Sequence, residues 1–275
     1  MSRRHWADSL WTDVLCVAGL CIMCVLVARG RGGAGASTQA SEVQHSKLLL
    51  GEQVKMGEGF ARTWVRLGRD GFPEALGIRL DEKALEGLPD SDAKQCCDGP
   101  AFELPLPKEV AVAPFDHVVI NWNPRGHEPA GIYDVPHFDF HFYMISPEKR
   151  LKIVGSKSKE HPECRLPAAE YMPQGYISTM ESHARMGNHL VDPTSPEFNG
   201  KNFTKTLIWG SCEGQIHFIE PMVTKAYLQS RPNVTEPIKQ PKKYATAGYY
   251  PTSYRVAHSA DAQAFDVALE GLVLR

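Results

Sequence analysis

Between Val135 and Met144 polar and apolar positions alternate: His137, Asp139, His141 and Tyr143 fall on one side, Phe138, Phe140, Phe142 and Met144 on the other. A period of two belongs to the strand, because successive side chains of an extended chain point to opposite faces. The stretch predicts a central strand with buried phenylalanines and a polar face that either coordinates something or meets water. Similar patterning predicts a hairpin from Ala61–Leu67 and Ala75–Leu80 around Gly68-Arg69-Asp70-Gly71, and a strand at Val118–Trp122. A second hairpin is expected from Thr206–Trp209 and Gln215–Glu220 around Gly210-Ser211-Cys212-Glu213-Gly214. Phe102–Leu106 reads as an edge strand, since Pro105 has no N–H to give to a ladder.

Tyr254–Ala257 and Phe265–Leu269 read as strands, although Phe265, Leu269 and Leu272 also fit a helical stripe from Ser259. Helical signals elsewhere are short: Asp81 caps a turn ending at Leu85, Ala168–Met172 holds one turn, and Pro221 opens a helix through Leu228. Residues 146–167, Met180–Pro193 and Arg231–Lys243 read as loops. The sum is a mainly β fold, an antiparallel barrel or sandwich with a few short helices, a cupin-like barrel being one form of it. No internal repeat, phosphate-cradling glycine loop or GxSxG elbow is present.

The N-terminus departs from this pattern. Arg3 and Arg4 precede an uncharged apolar run, Val14 to Ala28, followed by Gly32-Gly33-Ala34-Gly35-Ala36. The run falls short of the about 20 residues that cross a bilayer, and Ala34-x-Ala36 suits signal peptidase. Residues 1–36 therefore read as a secretory signal, or as a signal-anchor if Leu10 and Trp11 lengthen the span. Either places the body outside the cytosol, secreted or held at the membrane by that segment alone. Residues 37–56 are small and polar and read as a linker, leaving 57–275 as one domain. Sequons at Asn202 and Asn233 fit a secretory route and a glycoprotein. So do the cysteines beyond the apolar run, Cys96, Cys97, Cys164 and Cys212, which are even in number. Vicinal Cys96 and Cys97 are poorly placed to bridge each other, so one is expected to join Cys164 and the other Cys212 in disulfide bonds. With 30 Lys and Arg against 32 Asp and Glu, nothing favours a nucleic-acid partner.

Two imidazoles and a carboxylate within five residues are ligands suited to zinc, iron, manganese or nickel. At about 3.3 Å per residue, His137 and His141 lie roughly 13 Å apart on a flat strand, too far to share one ion easily. An adjacent pair, His137 with Asp139 or Asp139 with His141, is the simpler start of a site, the odd member supporting it. His189 is the expected third ligand, and Glu220, at the end of its strand, a further one, because a carboxylate on a buried face must find a cation or a donor. Glu128, Glu181 and Glu220 are candidate general bases. His127 and Glu128 precede the central strand closely enough to reach its polar face, but their turn-rich loop reads better as a solvated pair.

Together the TWV at Thr63, GHEPAGIYDVPHFDFHFY from Gly126 to Tyr143, MGNHLVD from Met186 to Asp192 and FIEPMVT from Phe218 to Thr224 form a combined pattern. It resembles the TTHB-type domain of unknown function of exported bacterial proteins, from about Gly57 to Leu228. The resemblance implies a mainly β domain without an assigned reaction. Leu190 stands where that family commonly has an aromatic residue, a change beside His189. Two functions fit these residues. One is a divalent-metal site with an open position that activates water or a small-molecule substrate. The other is an exported binding or assembly protein, homo-oligomers included, in which a metal is structural or absent.

Overall fold

The computed structural model describes residues 46–91 and 99–275. The N-terminal apolar run, Cys96 and Cys97 lie outside the described residues. The strands are β1 (Lys47–Leu50), β2 (Val54–Met56), β3 (Gly59–Leu67), β4 (Pro73–Asp81), β5 (Ala101–Pro105), β6 (His117–Asn123), β7 (His137–Tyr143) and β8 (Ile177–His183). They continue with β9 (Gly187–Val191), β10 (Lys205–Cys212), β11 (Gln215–Thr224), β12 (Asn233–Pro237), β13 (Tyr249–Tyr250), β14 (Ser253–Ser259), β15 (Ala264–Glu270) and β16 (Val273–Leu274). Two seven-stranded antiparallel sheets result, β1-β3-β4-β15-β14-β12 with β2 paired to β3, and β5-β6-β7-β11-β10-β9-β8. Each sheet is hydrogen-bonded within itself, so the architecture is a sandwich and not a closed or cupin-like barrel.

Alternation decides what lies between the sheets. Leu76, Ile78 and Leu80 of β4 and Val267 and Leu269 of β15 share one core with Phe138, Phe140 and Phe142 of β7. Full burial of side chains of this size contributes about 1.5–3 kcal/mol each, which fixes the register of β7 and turns its polar residues outward from the core. The outer face does not meet water. All seven residues of β7 are buried, because Tyr133 from the loop before it, and Phe198 and Phe203 from the loop after β9, pack over Ile208 of β10 and Met222 of β11. The solvent-facing alternative is thereby overturned.

Phe265 and Leu269 lie on a strand paired on both sides, so β15 is no helix. Other expectations are corrected. Residues 47–56, read as linker, supply β1 and β2, anchored by buried Leu49 and Met56. Most of Met180–Pro193 is the β8–β9 hairpin, turned at Arg185 and Gly187 with φ of 68° and 74°. Part of Arg231–Lys243 is β12, an edge strand that tolerates its terminal Pro237. Ala168–Met172 closes only a turn, with Tyr171 N–H donating to the Ala168 carbonyl at 2.8 Å.

The correction that bears on function is at Pro221. It opens no helix; β11 runs through it to Thr224, whose side chain caps the helix Lys225–Gln229. Pro221 pairs with Leu207 of β10, while toward β7 the ladder passes from Ile219↔Phe142 to Met222↔Asp139, where the missing N–H is no loss. Glu220 therefore sits inside a central strand. No helix among the described residues is long and apolar enough to cross a membrane.

Candidate metal centre

The outer face of β7 is flanked by β6, with Asn123 opposite His137 and Asn121 opposite Asp139, and by β11, with Met222 opposite Asp139. Beyond Asn123 the chain turns back. Gly126 has φ +68°, and a side chain there would sit 2.2 Å from the Tyr133 carbonyl oxygen, so only glycine fits. His127 N–H then donates to that carbonyl at 3.1 Å, which lays the His127 ring over the strand. The His127 and His137 rings meet edge to face, centroids 4.6 Å apart.

Ligand atoms of His127, His137 and Asp139 all lie within 4.8 Å of one another, and all three residues are buried. His127 Nε2 is 3.4 Å from Asp139 Oδ2, and His137 Nε2 is 3.1 Å from Asp139 Oδ1. Yet His127 Nε2, His137 Nε2 and Asp139 Oδ1 have no partner in hydrogen-bond geometry. Leaving such atoms unsatisfied costs about 1–3 kcal/mol apiece. Ligands held about 2.0–2.1 Å from a tetrahedral ion stand about 3.3 Å from each other, close to the 3.4 and 3.1 Å between the two imidazole nitrogens and the Asp139 carboxylate. The supporting contacts agree. His127 Nδ1 lies 2.6 Å from the Glu128 carbonyl and His137 Nδ1 2.7 Å from that of Val135. Each Nδ1–H donates to a carbonyl, which leaves the Nε2 lone pairs on the cluster side. Asn123 Nδ2 donates to Asp139 Oδ2 at 2.7 Å and orients the carboxylate.

The charges are arranged to suit a cation. Burial works against ionisation of Asp139, but the imidazoles of His137 and His127 hold its carboxyl well below the usual range. Burial lowers His127 too, and the Asp139 carboxylate and the Glu128 carbonyl overcome it, raising the ring to about 9. Burial, reinforced by Asp139, pushes Glu220 well above the ordinary carboxyl value. Asp139 is thus driven toward its ionised form and Glu220 toward its protonated form, while His127 is driven toward imidazolium.

His137 and Asp139 thus form the adjacent pair, and His127, read as a solvated loop residue, supplies the third group. His141 lies further along the face, its Nε2 3.2 Å from Glu220 Oε2, and burial lowers its imidazole to about 4. His189 is buried on β9, stacked on His183 with centroids 4.8 Å apart. A cavity of about 260 Å³ joins these groups, lined by His127, Glu220, His183 and His189 among others. Glu128 and Glu181 line it as well, Glu128 exposed and 3.7 Å from His183 Nδ1, Glu181 half-buried. Cys164 and Cys212 are not bonded to each other, and the pairing expected for them with Cys96 and Cys97 lies outside the described residues.

Residues 68–122 match the model of a family described as TTHB210-like, hypothetical protein TTHB210. The match spans β4, β5 and most of β6 and ends before His127. It bears out the resemblance over that part of the scaffold, and His127, His137 and Asp139 lie beyond it. No curated protein and no solved structure matches the chain.

Proposed function

We propose that this domain binds a divalent transition-metal ion through His127, His137 and Asp139 and presents it to a small molecule in the adjoining cavity. The observation that carries the reading is the convergence of three buried ligand atoms without partners, each backed by a hydrogen bond on its far side. Two imidazoles and one carboxylate suit iron(II), zinc or manganese, and three protein ligands leave room for water or substrate. An ion held there would supply Lewis acidity toward water or a substrate oxygen. Glu220, a lining residue whose buried Oε2 has no hydrogen-bond partner, would exchange a proton with a molecule there, with Glu128 and Glu181 as the other candidate bases on the lining.

A second reading follows from the same Glu220 oxygen. If Glu220 completes an all-protein shell, the ion is structural and the domain is a binding or assembly module. Metal analysis of the full-length protein, followed by cobalt substitution, separates the two. One ion per chain, lost in His137→Ala and kept in Phe140→Ala on the opposite face of β7, is the expected result. A shift of the cobalt spectrum on adding imidazole shows an open position, and its absence supports the structural ion. Full metal content in His137→Ala removes both readings.

We also infer that the domain works outside the cytosol. The apolar run from Val14 to Ala28 and the exposed Asn202 and Asn233 of the two sequons support this. N-terminal sequencing after expression in a secretory host is expected to start near Ser37, with a mass loss on deglycosylation. Non-reducing peptide mapping is expected to link Cys164 and Cys212 to the Cys96-Cys97 pair.

A further inference from the structure

The cavity beside the cluster is lined by two unlike sets of side chains. One is apolar, formed by Tyr133, Phe198, Ile208 and Met222; the other brings Glu128, Glu181, His183 and His189. Among the described residues no lysine or arginine lines it. His189 is 6% exposed, and its Nε2 has no hydrogen-bond partner in the protein. Burial lowers the imidazoles of both rings, reinforced at His189 by its histidine neighbours and opposed at His183 by Glu128 and Glu181. A neutral ring nitrogen with a free lone pair accepts a hydrogen bond.

We propose that the cavity takes a small primary amine, an apolar ring or chain lying against Tyr133, Phe198, Ile208 and Met222 and its ammonium group donating to His189 while facing Glu128 and Glu181. The inference deepens the metal-site reading and rests on it for the ion that would lie beside the cavity at His127. A carboxylate or phosphate would pass two glutamates and meet no lysine or arginine, with His127 the one cationic side chain on the lining, whereas an ammonium finds opposite charge and an acceptor. At about 260 Å³ the space lies just under the usual range of about 300–1,000 Å³ for ligand pockets, which suits one ring with a short arm.

Benzylamine, benzyl alcohol and benzoate form a matched series for calorimetry on full-length protein, with and without zinc. Benzylamine is expected to bind the zinc-loaded protein at least tenfold tighter than benzoate, with benzyl alcohol between. The double substitution Glu128→Gln and Glu181→Gln is expected to bring benzylamine to within about threefold of the alcohol. His189→Ala is expected to weaken the amine and the alcohol alike by about tenfold, and His189→Gln, which keeps an acceptor, to restore part of the loss. Benzoate equal to or tighter than benzylamine, or no binding of any of the three by folded protein, overturns the proposal. Protein that takes up one zinc but prefers benzoate sinks the cavity assignment alone. Protein that takes up no zinc yet still prefers benzylamine removes the metal reading and leaves the cavity assignment standing.

Discussion

The outer faces of the two sheets use charged side chains in opposite ways. On the first sheet Arg79 grips Asp266 with hydrogen bonds of 2.9 and 2.8 Å, Trp64 Nε1 donates to the same carboxylate at 3.0 Å, and Arg66 lies 3.5 Å from Glu270. These groups are paired, and most are partly solvated. On the second sheet His137, Asp139, His141 and Glu220 are sealed beneath two loops, and each keeps at least one ring or carboxyl atom without a partner. Partnered charges on a wet face need no explanation beyond solubility and modest stability. Buried atoms left unpaired oppose folding, so their clustering points to a group that binds there.

Removing the centre of the cluster gives the largest expected effect. Asp139→Ala takes away one ligand and the charge that holds the two imidazoles, so zinc affinity is expected to fall by more than a hundredfold. In the unmodified protein, zinc at 1,000 times its Kd would add about 4 kcal/mol to stability. Scanning calorimetry with zinc against chelator is expected to show that gain and its disappearance in Asp139→Ala. An undiminished zinc-dependent rise in the variant would erase the distinction between the faces.

Asn123→Ala sharpens the same contrast by a smaller step. It leaves the three ligands and removes the hydrogen bond that orients Asp139, and supporting contacts of this kind are worth about 10- to 100-fold in metal affinity. Isothermal titration with zinc measures it directly. If Asn123→Ala binds zinc as tightly as the unmodified protein, Asn123 is only a core amide.

Proton competition gives the next effect. His127 is raised to about 9 in the ion-free protein, so its proton stabilises that form fully below the ordinary imidazole value of about 6.5 and is lost as pH rises through about 9. The ion must displace that proton. Zinc affinity is expected to rise about tenfold per pH unit between about 6.5 and 8.5, one proton being released per ion bound. Titrations in buffers of different ionisation enthalpy report that proton. A pH-independent affinity would show that His127 is not a ligand.

The two faces also differ in how plainly the sequence announces them. The alternation through β7 announces both the phenylalanine core and the polar row, and strand spacing alone favours His137 with Asp139 over His137 with His141. His127 was hidden because a turn-rich loop carries no period. Its return over β7 depends on the positive φ of Gly126 and the Tyr133 carbonyl. The Gly126-His127 pair was the available signal, and a local reading prices it as a surface turn. Glu220 was displaced by Pro221, whose helix-opening preference is local, while the pairing of β11 with β7 and β10 is long-range and prevails. The residues 47–56 and 233–237 look like linker and loop because they are edge strands, with only one side of each paired to its sheet.

The smallest expected effect lies on the first sheet. Asp266→Asn keeps an acceptor for Trp64 Nε1 but exchanges the charged pair with Arg79 for a neutral contact. The side chains are 31% and 16% exposed for Arg79 and Asp266, so water and salt already weaken their attraction, and a loss of about 1 kcal/mol in urea unfolding is expected. The loss is expected to shrink in 1 M salt, where the screening length falls from about 10 Å to about 3 Å. Zinc affinity is expected to stay within twofold, because the apolar core, with Phe138, Phe140 and Phe142, separates the two outer faces. A tenfold change in zinc binding by Asp266→Asn would mean that the sheets are electrostatically coupled through that core, and the division between a paired, structural face and an unpaired, binding face would then fail.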